Sequence, residues 1–228
     1  MEGRHEGSSD IAGRSANREA NRRRERLLQQ RKARSRLARV VLGPSAQEKR
    51  LAEEEKHWAT GARGEELLAT MLAKRCPEAV FLHDRRIPRS RANLDHIAIT
   101  HSGIYVIDAK RYRGKIEVRS RLFGESKLVI AGRDRTKLVA GLERQVNVVR
   151  QELASFTPEL PVHGCLCFVA PEGLLADIGL PIVRTLKISG FPLLYPRRLA
   201  RYLNRSGPLT SEQMQRICAL LAERLPPA

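Results

Sequence analysis

Apolar residues recur at helical spacing from residue 61 onward, with Leu67, Leu68, Met71 and Leu72 toward one side. They do so again over 136–154, where Leu138, Leu142, Val146, Val149 and Leu153 form a continuous stripe bordered by Gln145. Between these two predicted helices the pattern changes to short runs rich in β-branched residues, separated by turn residues. Strands are expected at 80–87, 94–100 and 105–110, then at 115–118 and 127–130. Pro77 ends the first helix, and Gly114 marks a turn after the third strand. The run Val162-His163-Gly164-Cys165-Leu166-Cys167-Phe168-Val169 is apolar enough for a central strand buried on both faces. A further strand is expected at 182–188, and helices at 197–203 and 211–225, the last capped by Thr210 or Ser211 with Glu212 and Gln213 in its first turn. This order predicts an α/β or α+β fold, a mixed central sheet flanked by helices.

The first fifty residues follow a different rule. Residues 1–15 show no period and are expected to be disordered. Residues 16–37 are mostly Arg, Glu, Gln, Leu and Ala, all good helix formers, but Leu27, Leu28 and Leu37 do not line up. The expected helix is therefore polar nearly all round. Gly43-Pro44-Ser45 breaks it, and Ser45 can cap a second helical run from Ala46 towards Trp58. The expected division is a basic arm over 1–57, partly disordered and partly helical, and a globular domain over 58–228.

Charge sharpens that division. The 228-residue chain has a formal net charge of +17, and residues 1–50 hold 14 of its 42 Lys and Arg against 6 of its 25 Asp and Glu. Such an excess points to a polyanionic partner, nucleic acid ahead of an anionic membrane. Aromatic residues make up only 4% of the chain, which argues against a stacking platform for single strands as the main device. No apolar run reaches the roughly 18–20 residues of a membrane span, and the N-terminus lacks the apolar segment of a signal peptide, so a cytoplasmic protein is expected. Cys76, Cys165, Cys167 and Cys218 form no CxxC pair and read as reduced core thiols.

Candidate chemistry sits on the two strands at 94–100 and 105–110, which carry Asp95, Asp108 and Lys110 among apolar neighbours. Burying an unpaired carboxylate costs several kcal/mol, so these charges must either pair or hold a metal. Asp108 and Lys110 are two apart and leave one face of their strand. A two-residue turn at His101-Ser102 would set Asp95 opposite Asp108, whereas a three-residue turn would send Asp95 to the other face. Facing carboxylates repel unless a cation lies between them. Oxygen ligands without a Cys or His cluster favour Mg²⁺ or Mn²⁺, which can activate water and neutralise charge on phosphorus. Lys110 beside them could orient the water. The opposing reading is an ion pair tolerated at a hydrophilic sheet edge. His83, His96, His101 and His163 read as surface or hydrogen-bonded residues rather than ligands, and His96 points away from Asp95.

Taken together, Gly64-Glu65, Leu94-Asp95-His96-Ile97, Gly103-Ile104-Tyr105-Val106-Ile107-Asp108-Ala109-Lys110 and Gly114 with Ile116 resemble the NERD (nuclease-related) domain, grouped with the PD-(D/E)xK, restriction-endonuclease-like superfamily. The resemblance covers residues 61–173. It implies a restriction-endonuclease-like fold in which Asp95 and Asp108 bind metal, Glu65 completes the site from the first helix, Lys110 assists the nucleophilic water and Gln145 is a polar accessory. The second acidic position is more often Glu in that family, so Asp108 is one methylene shorter than usual. The expected function is a Mg²⁺- or Mn²⁺-dependent nuclease acting on nucleic acid, DNA ahead of RNA, as a monomer or a homodimer. Two alternatives stand beside it: a catalytically silent nucleic-acid-binding protein with the same fold, and an interaction module whose arm binds acidic partners.

Overall fold

The computed structural model describes residues 11–34, 42–90, 92–119, 125–156, 159–169 and 185–228. Its helices are α1 (Arg14–Ala33), α2 (Ala46–Arg75), α3 (Lys137–Leu153), α4 (Pro196–Leu203) and α5 (Ser211–Arg224). The strands are β1 (Val80–Arg86), β2 (Asn93–Thr100), β3 (Gly103–Lys110), β4 (Ile116–Arg119), β5 (Lys127–Ile130), β6 (Arg133–Asp134), β7 (Val162–Phe168), β8 (Leu186–Ile188) and β9 (Phe191–Leu194). Six of them form one mixed sheet in the order β1-β2-β3-β7-β9-β8, and β4-β5-β6 form a small second sheet. The mixed α+β architecture is the expected one. The short strands expected at 115–118 and 127–130 are present, but they pair with each other rather than with the central sheet.

Each face of the large sheet is covered by a different pair of helices. Ile97, Ile99, Ile104 and Val106 pack in one apolar cluster with Leu142 and Val146 of α3 and with Ile217 and Leu221 of α5. Ala98, Tyr105 and Ile107 pack in the other with Leu68 and Leu72 of α2 and with Leu199 and Leu203 of α4. β7 runs parallel to β3, with Asp108 beside Leu166 and Lys110 beside Phe168. A parallel pair requires a crossover, and α3 provides it. Cys76, Cys165 and Cys167 are buried and Cys218 is half-buried; none of the four forms a disulfide.

The helical spacing over 61–72 and the run from Ala46 belong to one helix, not two. α2 continues for 30 residues through Gly61 and Gly64. Neither glycine is followed by a proline, and each costs about 1 kcal/mol relative to Ala, too little to break a helix held by packing. The N-terminal cap forms as expected: Ser45 and Glu48 make a reciprocal capping box.

α1 is not solvated all round. It lies along α2 and buries Ala16, Ala20 and Leu27. Small residues allow the close approach: a Cβ on Gly13, whose φ is 74°, would lie 2.8 Å from the carbonyl oxygen of Ala62. The disorder expected for 1–15 concerns, up to residue 10, positions outside the described residues.

Of the strand expected at 182–188, residues 186–188 form β8 and residues 182–184 lie outside the described residues. β9, the short proline-containing Phe191-Pro192-Leu193-Leu194, is not among the expected strands. It nevertheless pairs with β7 through Leu166↔Leu193 and Cys167↔Leu194.

The turn between β2 and β3 has two residues, His101 and Ser102, between the paired Thr100 and Gly103. The backbone after α4 is docked on it: Leu209 N donates to the His101 carbonyl at 3.1 Å, and His101 Nδ1 donates back to the Leu209 carbonyl at 2.6 Å. At Gly207 an added Cβ would lie 2.2 Å from the His101 carbonyl oxygen. Gly207→Ala should therefore destabilise the protein by about 1–3 kcal/mol in urea unfolding. Gly61→Ala, at a helical position with open space around its Cα, should leave stability unchanged or raise it by up to about 1 kcal/mol.

Candidate active site

The hairpin register places the acidic residues. β2 and β3 pair through His96↔Ile107, and one step further along the same ladder Asp95 falls opposite Asp108. The two-residue turn is thus the arrangement present. Asp108 and Lys110 leave the face of β3 shared with Leu166 and Phe168, their neighbours on β7.

Three charges close on one another at this point. Lys110 Nζ donates to Asp108 Oδ1 and lies 3.7 Å from Asp95 Oδ2. It also donates to the Ala109 carbonyl at 3.1 Å. Asp95 Oδ2 accepts from the Ala109 backbone N–H at 2.9 Å. Asp108 is 4% exposed, so the cost of removing its charge from water is large.

Glu65 approaches the same cluster from α2. Burial pushes its carboxyl up to about 9, and the negative charges of Asp95, Asp84 and Asp108 add to that push while Lys110 opposes it. Burial likewise pushes Asp108 up to about 7; Lys110 pulls it down and Asp95 raises it. For Lys110, burial opposes the charge, but Asp95 and Asp108 outweigh it and raise its pKa above the ordinary lysine value. The lysine therefore stays an ammonium throughout the neutral range.

Asp84, absent from the sequence-based expectations, belongs to this neighbourhood. It is buried on β1 with φ 49°, a conformation that costs a non-glycine residue free energy. Its carboxylate accepts from Ser15 N at 2.5 Å, from Ser15 Oγ at 2.7 Å and from Asn93 Nδ2 at 3.2 Å. An acid within the apolar strand was the available signal; its partner Ser15, on an arm expected to be disordered, gave none.

Gln145 is on α3 as expected, but it makes no hydrogen bond to the charged cluster, and its Oε1 is buried without a hydrogen-bond partner among the described residues. His96 is fully buried and its Nδ1 lies 2.8 Å from His83 Nδ1. Burial and the neighbouring His83 push it down to about 3, so it stays neutral and is no general acid at physiological pH.

Among the described residues no group of three or more His, Cys, Asp or Glu side chains converges closely enough to hold a metal ion. The donor chemistry nevertheless suits one. Asp95 and Asp108 offer a pair of oxygen ligands with Glu65 nearby, and the cluster holds more carboxylates than its one ammonium can neutralise. Burial drives Glu65 and Asp108 toward the protonated form and that surplus adds to the push; a divalent cation would relieve the repulsion.

Comparison with known proteins gives one positive finding. Residues 60–169 match the family model described as Nuclease-related domain, NERD. No curated protein and no solved structure matches the chain significantly.

The raised carboxyl pKa values have a consequence for stability. Between the ordinary carboxylate value and about 9, Glu65 keeps a proton in the folded state that the unfolded chain releases. Stability without added metal should therefore fall as pH rises across that range. Glu65→Gln should flatten the fall in thermal melts recorded between pH 5 and 9; an equally steep fall in the variant would show that Glu65 is not its source.

Proposed function

We propose, from the premise that residues 60–169 belong to the nuclease-related NERD family, that this protein is a divalent-metal-dependent phosphodiesterase acting on nucleic acid, with DNA as the first substrate to test. The observation that carries the reading is the convergence of Asp95, Asp108 and Lys110 on the β2-β3 hairpin, with Glu65 electrostatically coupled to all three. Asp95 and Asp108 would hold Mg²⁺ or Mn²⁺, with Glu65 completing the acidic set. Such an ion, when bound, polarises a phosphodiester oxygen and lowers the pKa of water.

The chain's own groups define the remaining roles. Lys110, held as an ammonium by the two aspartates, donates: it orients the attacking water and offsets charge on phosphorus, and it does not act as a base. Asp95 is fixed by the Ala109 N–H, which keeps one of its oxygens directed toward Lys110. Asp108 is short by one methylene relative to the usual Glu, and it reaches Lys110 directly. That ion pair also favours a second reading, a protein that binds nucleic acid without turnover, because Lys110 already neutralises Asp108.

The arm contributes affinity. α1 exposes Arg24, Arg26, Arg31 and Lys32 on the helix whose other side is packed on α2. Exposed cations on a docked helix suit the phosphate backbone of a nucleic acid and carry no base specificity.

Purified protein should cleave DNA in the presence of Mg²⁺ or Mn²⁺. EDTA should abolish cleavage, and Lys110→Ala should lower it by about 10²–10³-fold, with Asp108→Asn at least as severe. Cleavage that survives Asp108→Asn in a folded protein would refute this site, and binding without cleavage under every metal would select the second reading. Replacing Arg24, Arg26, Arg31 and Lys32 by Gln should weaken DNA binding and reduce the slope of log K against log salt by about 0.9 for each phosphate that is no longer neutralised.

A further inference from the structure

A cavity of about 670 Å³, a size that accommodates a small ligand, lies toward the end of β3 opposite the acidic cluster. β7 and β9 pair only through Leu166↔Leu193 and Cys167↔Leu194, so among the described residues the first half of β7 has no strand partner on that side. The splayed strands open the cavity. Gly164 shapes its wall: an added Cβ there would lie 2.9 Å from the Phe191 ring, which rests against the bare backbone.

The lining has a consistent chemistry. Arg150 of α3, Lys187 of β8 and Arg205, just beyond α4, reach it from three separate elements. None of the three is paired with a carboxylate among the described residues. Arg150 is held by neutral acceptors instead, Asn147 Oδ1 at 3.3 Å and the Val162 carbonyl at 3.1 Å. The Arg205 guanidinium lies 3.9 Å from the centroid of Tyr202. Among the described residues, Glu143 is the only acid in the lining. Burial lowers the pKa of His163, and Arg150 and Arg205 lower it further, as converging positive charge must. The aromatic side chains Tyr105, Phe191 and Tyr202 complete the walls.

We propose that this cavity binds a nucleoside phosphate, the phosphate against Arg150, Lys187 and Arg205 and the base against the aromatic side chains. Guanidinium groups recognise phosphate through paired N–H donors, and bases stack on aromatic and guanidinium planes. The ligand is either a free nucleotide or the phosphorylated end of a nucleic-acid strand. Along β3, Tyr105 and Lys110 are five residues and about 16 Å apart, so the cavity is separate from the acidic cluster. The assignment does not depend on cleavage.

Calorimetric titration of the full chain with deoxyadenosine 5′-monophosphate, and with deoxyadenosine as control, tests it. The monophosphate should bind one to one. Deoxyadenosine should bind at least about tenfold more weakly, and so should the monophosphate to Lys187→Gln/Arg205→Gln, since charge-assisted hydrogen bonds are worth about that much each. Both substituted residues are exposed, so the variant is expected to fold. Absence of binding at millimolar nucleotide, or binding unaffected by the double substitution, would overturn the proposal. A 5′-phosphorylated oligonucleotide that displaces the nucleotide, where its unphosphorylated form does not, would identify a strand end; no displacement would identify a free nucleotide. Asp108→Asn should bind nucleotide normally, so loss of cleavage and loss of this site are read separately.

Discussion

The repulsion between Asp95 and Asp108 across the β2-β3 hairpin is the constraint around which the rest of the molecule is arranged. Two carboxylates in register on a largely buried hairpin are unfavourable by themselves. They persist because the apolar residues of the same strands set the register: Ile97 and Ile99 of β2 face one helical layer with Ile104 and Val106 of β3, and a slip of β2 by one residue would turn its two isoleucines to the other face. Lys110 offsets part of the charge, and the Ala109 N–H offsets another part. What remains unneutralised is the feature a divalent cation would complete.

The same constraint reaches into the N-terminal helix. Asp84 adds to the negative potential felt at Glu65, and it is held by the backbone N–H and hydroxyl of Ser15 in the first turn of α1. The N-terminus of a helix carries partial positive charge, so a carboxylate is well placed there. Asn17 of the same turn donates to Glu66 at 2.7 Å, beside Glu65 on α2. The basic arm is therefore joined to the acidic cluster by its first turn, while Arg24, Arg26, Arg31 and Lys32 lie further along the helix. The exposed cations of α1 and the acidic cluster are thus connected through one turn of helix.

The ends of β3 differ in charge. Asp108 and Lys110 sit toward its C-terminal end with Asp95 and Glu65 around them, an acidic surplus suited to a metal. Tyr105 sits toward its N-terminal end, beside His163 and close to Arg150 and Arg205, a basic surplus suited to phosphate. Parallel pairing with β7 and a single crossover helix produce this polarity, because α3 directs Arg150, near its C-terminus, to the basic end.

Much of this was legible in the linear chain. The helical stripe of α3, the apolar β7 and the shared face of Asp108 and Lys110 depend on local periodicity, a property of neighbouring residues. The two-residue turn at His101-Ser102, which decides where Asp95 falls, was one of two lengths the chain allowed and is selected by the fold. Other features depend on packing between segments far apart and leave no local trace. α2 remains unbroken at Gly61 and Gly64 because α1 and the sheet pack along it. β9 forms in spite of Pro192 because β7 offers it a partner, and Asp84 accepts a strained backbone because Ser15, 69 residues earlier, binds its carboxylate. The net charge and its concentration in the arm were determined by composition alone. Only the fold decided that the arm docks beside the acidic cluster and that Arg150, Lys187 and Arg205 meet from separate elements at the other end, since hydrogen bonds and electrostatic fields follow distance in space and not position along the chain.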